Sequence, residues 1–507
     1  MTRYPTLLVE HRELPVVTAD LPLTFTGTLS FGVGQREESP LTAGISHLVE
    51  HLVMARVGQV DIAHNAMTAI DHITFFAQGD PGLVADFLNR VASAVGSLRS
   101  ITDDDVARQR DLIAIELGDG DQSTGLGPLV DRYGAAGLGL VELGQPAHRT
   151  LTREQVVRFA GTWLHSGNAV LSFTGAVPDA LAIDLPDAQP VPERNGDEPV
   201  RASGWLLSGG PPLSLSLIVD GDPSARGLTT VAIERALHDE LRTARGLVYS
   251  VGGLNSIIDD TRRHAAFVLD PREGDIERAA VAAVETLQRL AEDGPSDEDL
   301  RRLKAEYARQ CDDPQARQEE LVEAAVAYIR GEIDERRLSP LDLDGVTSDD
   351  VAAVLRGALP TLLVSMSAPE ISADGIEALG LPSAERESDL IGRTRFELFK
   401  HLARPSIVLL SPKWFSGARG HQLLLDEHRV AVISSSAVIE VRWDELVLAG
   451  IDSEGGWDLT DRYGRGIKVA PAVWQGWSRA RSVLESRVPE AIRYRIVEDA
   501  PSSSAVA

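Results

Sequence analysis

The sequence predicts an α+β protein: two tandem αβ units followed by a small, mostly-β unit. Three observations carry this. Strand-like and helix-like stretches alternate through residues 1–185. A second series, with the same strand, long helix, strand order, runs through residues 200–375. Over residues 395–497 short strands with hairpin turns replace that alternation, and 498–507 reads as a disordered tail. A chain of 507 residues is also too long for one core.

In order, "TLLVEHRELPVVTADLPLTFTGTLSFGVG" reads as several short strands punctuated by Pro and Gly. "GISHLVEHLVMARVG" reads as a helix stopped at Gly58. "HITFFAQGD" alternates as a strand, and "GLVADFLNRVASAVGSLRS" has apolar residues at helical spacing. "DDDVARQRDLIAIELGDG" is a helix with acidic residues at its start, where the dipole favours them. "GLGPLVDRYGAAGLGLVELG" is Gly-rich without a phosphate-binding lysine, and reads as a mobile loop. "NAVLSFTGAV" returns to strand. The Pro-rich, charged run 186–200 is the linker. Then come "LSLSLIVDG" (strand), "GLTTVAIERALHDELRTARG" (helix), "LVYSVGGLNSIID" and "RHAAFVLDP" (strands), "DIERAAVAAVETLQRLAEDG" (helix), a charged helix through Ala325, and "TLLVSMSAPE" (strand). The order echoes the first unit and reads as a diverged internal repeat.

Composition narrows the function. Hydrophobic content of 43% with 25% charged residues fits a globular protein. A net charge of −27 argues against nucleic-acid binding, which needs clustered Lys and Arg. One cysteine, Cys311, excludes an intrachain disulfide and a cysteine-rich zinc site. The first residues have no apolar signal-peptide core, and no apolar run reaches the roughly 20 residues of a membrane span. The expected compartment is the cytoplasm, with no membrane partner.

The chemistry concentrates in "ISHLVEHLVM". On a helix His47 and His51 are i and i+4, and Glu50 shares their face. Two imidazoles on adjacent turns can hold one Zn²⁺, and a carboxylate between them can reach a water there. The same spacing also suits a core helix with hydrogen-bonded histidines. H-x-x-E-H is the inverted zinc motif, and a catalytic zinc needs a third protein ligand from elsewhere.

The segment "AGISHLVEHLVM" resembles the opening helix of the M16 (pitrilysin and insulinase) zinc metallopeptidases. "HNAMTAIDHITFF" resembles that family's edge strand, "RQRDLIAIELGD" the helix that supplies its third zinc ligand, and "WLHSGNAVLSFTGAV" the strand closing its first domain. "ELRTARGLVYSVGG" is similar to its Arg-Tyr segment. The resemblance implies two tandem M16-type domains and one Zn²⁺ per chain held by His47, His51 and Glu116. It makes Glu50 the general base. It gives Arg242 and Tyr249 the substrate backbone and the developing oxyanion, and Asn65 and Ala66 the pairing with an extended peptide. Two departures stand out. The gap from His51 to Glu116 is shorter than usual, and Gln109 stands two turns before Glu116, where active members often carry a helper glutamate. His64 and His72 flank the edge strand and are expected at the surface or against substrate. "HDEL" at 238–241 lacks the zinc spacing, so the second unit carries no metal.

The implied activity is zinc-dependent endopeptidase action on peptides held extended in a chamber of two halves. Two alternatives remain open: a non-catalytic peptide-binding or scaffold subunit, and a dedicated leader-peptide processing subunit. The chain has one such half, so a homodimer, or a heterodimer with an M16-like subunit, is expected. The last unit loosely resembles a pleckstrin-homology barrel, on architecture alone.

Overall fold

The first unit wraps helices around a five-stranded sheet. Its elements are β1 (Val16–Thr18), β2 (Thr26–Phe31), α1 (Ile45–Val57), β3 (Ala63–Thr68), β4 (Ile73–Gln78), α2 (Pro81–Ser97), α3 (Asp103–Leu117), α4 (Pro128–Tyr133), α5 (Leu140–Leu143), α6 (Arg153–Trp163) and β5 (Ala169–Phe173). The strand order is β1-β5-β2-β4-β3, with β1 and β5 parallel and the other pairs antiparallel. In this computed structural model the described residues are 14–117, 127–193, 198–259, 261–331, 342–367, 374–385, 407–414, 416, 418–434 and 438–497. The expected tail at 498–507 lies outside them. Local chemistry sets the helix ends. Asp80 accepts from Gly82 N and Leu83 N with Pro81 in the first turn of α2, and Gly58 at φ 73° ends α1.

The second unit contains β6 (Gly204–Leu207), β7 (Leu213–Asp220), α7 (Pro223–Leu237), a π-helical turn His238–Ala244, β8 (Val248–Ile257), β9 (Arg262–Pro271), α8 (Ile276–Asp293), α9 (Asp297–Asp312), α10 (Pro314–Ile329), α11 (Ser348–Ala358), β10 (Leu363–Met366) and α12 (Asp374–Ala378). Its sheet runs β6-β10-β7-β9-β8, which is the first order with every strand advanced by five. The parallel pair, β6 with β10, recurs in the same place. The internal echo in the sequence is thus one of topology.

Two expectations are corrected. The charged stretch through Ala325 is two helices rather than one, because Pro314 lacks an N–H and Asp313 caps the new helix through Gln315 N at 2.8 Å. The separated α10 then crosses to the first unit, where Leu321, Ala325 and Val326 pack on Val17, Ala19, Leu21 and Val170. β2 is buried at every position because α2 and α10 both lie against it. The Gly-rich stretch is also no mobile loop. From Gly127 on it forms α4 and α5, with every residue of α4 buried. Arg132, fully buried, ties α4 to the second unit by donating to Ser216 Oγ at 2.6 Å and to the carbonyls of Ala202, Ser216 and Thr361.

The third unit has two four-stranded sheets. One is β11 (Val408–Leu410), β12 (Gln422–Leu425), β13 (Arg429–Ile433) and β14 (Val438–Arg442). The other contains β15 (Leu446–Ile451), β16 (Trp457–Asp461), β17 (Gly466–Val469) and β18 (Arg493–Arg495), in the order β17-β16-β15-β18. They share one core with Trp457, Trp474 and helix α13 (Trp477–Arg487), through Ala480 and Leu484. β18 follows α13 and pairs parallel with β15, an addition to the expected strands-then-helix order. Among the described residues no helix is long and apolar enough to cross a membrane.

Candidate metal centre

Helix α1 divides into two stripes. Ile45, Leu48, Val49, Leu52 and Val53 are buried in the first core, which leaves His47, Glu50 and His51 on the opposite face. Helix α3 runs beside α1 and brings Glu116 to that face. Glu116 Oε2 lies 3.3 Å from His51 Nε2 and 3.8 Å from His47 Nε2. The imidazoles meet edge to face with centroids 4.7 Å apart. One donor atom from each of the three residues falls within 4.8 Å of the others, the only such group among the described residues. Burial, then the neighbouring His51, pushes the His47 pKa down; Glu116 opposes this and His148 adds to it. A neutral imidazole is the metal-binding form, so this donor set fits Zn²⁺.

Glu50 sits between the histidines and accepts a 2.7 Å hydrogen bond from Thr68 Oγ1. Burial pushes its pKa up, against the Thr68 hydrogen bond and His51. Thr68 belongs to β3, the last strand of the sheet, which among the described residues pairs only with β4. A cleft of about 610 Å³ joins these parts, lined by His47, Glu50, His51 and Glu116 together with Asn65 and Ala66. Six of the sequence-derived site residues therefore share one cleft.

Arg242 and Tyr249 do not. Arg242 is exposed on the π-helical turn, its Nη1 3.4 Å from His238 Nε2, and Tyr249 is 61% exposed on β8. Neither lines the metal cleft. His64 lies on β3 with Nδ1 2.7 Å from Ile62 O, and His72 is buried against Asp71 at 2.8 Å. Both stand outside the cleft, as does Gln109, which is buried on α3.

Several lining residues carried no legible signal. Glu38 caps the start of α1, accepting from Gly44 N at 2.7 Å and Ser46 N at 2.9 Å. Burial raises its pKa to about 7 against these hydrogen bonds. Leu140, Val141, Gly144 and Gln145 form another part of the cleft wall. Met67, Thr68 and Leu117 also line the cleft and lay within motifs already singled out.

A family profile described as "Peptidase M16 inactive domain" matches residues 209–307, within the second unit. An uncharacterized zinc protease of Mycobacterium leprae is 28% identical, the alignment covering 49% of this chain and 65% of that relative, so the chain spans just under two thirds of its length. An uncharacterized zinc protease of Streptomyces coelicolor is 25% identical over 57% of this chain and 72% of its own. The crystal structure of a protease from Helicobacter pylori superposes with a TM-score of 0.57 at 14% identity, covering 71% of this chain and 99% of that one, which speaks for the fold. In its profile match, its two relatives and its fold this chain is similar to the M16 peptidases, with additional β-sheets at its C-terminal end.

Proposed function

We propose that the chain is a zinc-dependent endopeptidase that hydrolyses peptides bound in extended conformation. The observation that carries the reading is the coincidence, in one cleft, of a three-donor cluster, a half-buried carboxylate and a sheet edge. Zinc held by His47, His51 and Glu116 would supply the Lewis acidity that polarises a carbonyl and acidifies water. Glu50 takes the proton of the attacking water and returns it to the leaving amine nitrogen. Thr68 holds that carboxylate in place. The open edge of β3 at Asn65 and Ala66 offers backbone hydrogen bonds to an incoming strand, so affinity is largely independent of substrate side chains.

Arg242 and Tyr249 take their roles from a second half. A homodimer would bring the Arg242 and Tyr249 of one copy to the metal cleft of the other, to hold the substrate backbone and the oxyanion. A heterodimer with an M16-like subunit would supply the same groups.

The test is a mixed peptide library, with and without chelator, read by mass spectrometry. Glu50→Gln is expected to retain zinc and lose hydrolysis. A Glu50→Gln protein that cuts as well as wild type removes the general base from the mechanism. Zinc-loaded, dimeric wild type that leaves the library uncut turns the reading to a non-catalytic peptide binder.

A further inference from the structure

Among the described residues the third unit does not line the metal cleft, yet it grips the segment that does. The turn between β16 and β17, Asp461–Arg465, lies against α4. Arg462 O accepts from Ala135 N at 3.0 Å, and Arg201 donates from one nitrogen to both Asp131 O (2.7 Å) and Tyr463 O (3.3 Å). The fit is tight: a Cβ at Gly134 would lie 2.0 Å from Arg462 O, and one at Gly464 would lie 2.5 Å from Val130 Cγ2. The Tyr463 ring is covered by the guanidinium groups of Arg201, Arg462 and Arg465. Buried Asp461 fixes the turn by accepting from Tyr463 N and Arg465 N, both at 2.9 Å. Beside it Val447 of β15 packs on Val130, Ala135, Leu140 and Leu143.

From α4 the connection continues to the helix that carries His47 and His51. Glu142 of α5 accepts from Leu129 N and Val130 N, which joins the two helices end to side. Gly144 and Gln145, with Leu140 and Val141, form this part of the cleft wall. Gln145 then abuts the start of the metal helix: a Cβ at Gly44 would meet its Oε1 at 2.3 Å. Gln145 O also pairs with His148 Nδ1 at 2.8 Å. A close-packed series thus runs from the β16–β17 turn through α4, α5 and Gln145 to the first turn of α1. Packed interiors transmit displacement rather than absorb it.

We infer that the third unit is a strut for the active-site cleft, with Arg462, Tyr463 and Gly464 as positioning residues that set the 140–145 wall and the seat of α1. The inference rests on the proposed peptidase reading for its effect on turnover, whereas its structural part stands on packing alone. Misplacement of a cleft wall by an ångström can cost about a hundredfold in rate.

The experiment compares full-length wild type, Gly464→Val, Tyr463→Ala and Tyr463→Phe by hydrogen exchange, bound zinc and peptide hydrolysis. Gly464→Val forces a side chain into Val130 at a φ of +77°. Its expected signature is faster exchange in 128–135 that spreads through 140–148, unchanged zinc content, and kcat/KM lower by about tenfold to a hundredfold. Tyr463→Ala shows the same pattern with the turn backbone intact, and serves if the valine variant does not fold. Tyr463→Phe keeps the ring and stays near wild type. Faster exchange confined to 128–135, with 140–148 and turnover unchanged, overturns the inference. If zinc-loaded wild type cuts no peptide, the peptidase reading fails separately, and the exchange of 140–148 alone decides the strut.

Discussion

For Glu50 to act as the proposed base it must point into the cleft, and Thr68 Oγ1 donates to its carboxylate there. Valine at 68 keeps the shape of threonine and removes the donor. A hydrogen bond to a charged group contributes about 1.5–3 kcal/mol, so Thr68→Val should lower kcat by about tenfold or more while zinc content stays at the wild-type level. Unchanged kcat would mean Glu50 is oriented without Thr68. His47, Glu50 and His51 were legible because helical spacing alone puts them on one face. Glu116 needed the resemblance, since 64 intervening residues separate it from His51 and only packing of α3 on α1 closes the distance. Glu38, Gln145 and His148 were illegible for the same reason in stronger form. Their approach to α1 depends on segments whose sequence near them carries no motif.

At the level of elements, α10 shows how a single proline redistributes packing. Had the charged helix continued through Asp313 and Pro314, its far end would not cross β1, β2 and β5. Leu321 is 3% exposed at that crossing, so Leu321→Ala should destabilise the protein by about 2–5 kcal/mol, measured by urea unfolding. A loss below about 0.5 kcal/mol would show that α10 does not clamp the units. A second element-level effect lies between β9 and β7. His264 Nε2 is 2.7 Å from Ser216 Oγ, and burial, aided by the Arg132 charge, pushes its pKa from 6.5 down to about 3. Between those values the unfolded chain binds a proton that the folded chain refuses. This contribution is therefore complete above pH 6.5 and is lost as pH falls toward 3. His264→Gln should flatten the fall of the urea midpoint between about pH 7 and about pH 4 relative to wild type. Parallel falls in the two proteins would place the acid sensitivity elsewhere. The strands and long helices were legible from periodicity. Helices α4 and α5 were not, because six glycines in twenty residues look like a loop, whereas here they let backbone approach backbone, as at Gly134 against Arg462.

At the scale of the molecule, the repeated sheet order places equivalent edge strands, β3 and β8, at the ends of the two sheets. The first carries the cleft and the second carries Tyr249, well exposed and away from the His47 cluster. The repeat was legible from the order of strands and helices, but the docking of the third unit was not, since one turn, Val447 and a few arginines make it. If two copies complete each other's sites, a defect in the metal cleft and a defect in Arg242 fall in different halves of the composite site. Glu50→Gln and Arg242→Ala chains would each be inactive alone. Mixed with exchange of subunits, half the dimers are hybrids, and each hybrid has one site with both defects and one with neither. Activity should then return to about a quarter of wild type, and sedimentation should show the dimer throughout. An active wild-type dimer whose two variants never complement would place both sets of residues within one copy. An inactive monomer that gains activity only with a different M16-like chain would replace the homodimer by the heterodimer.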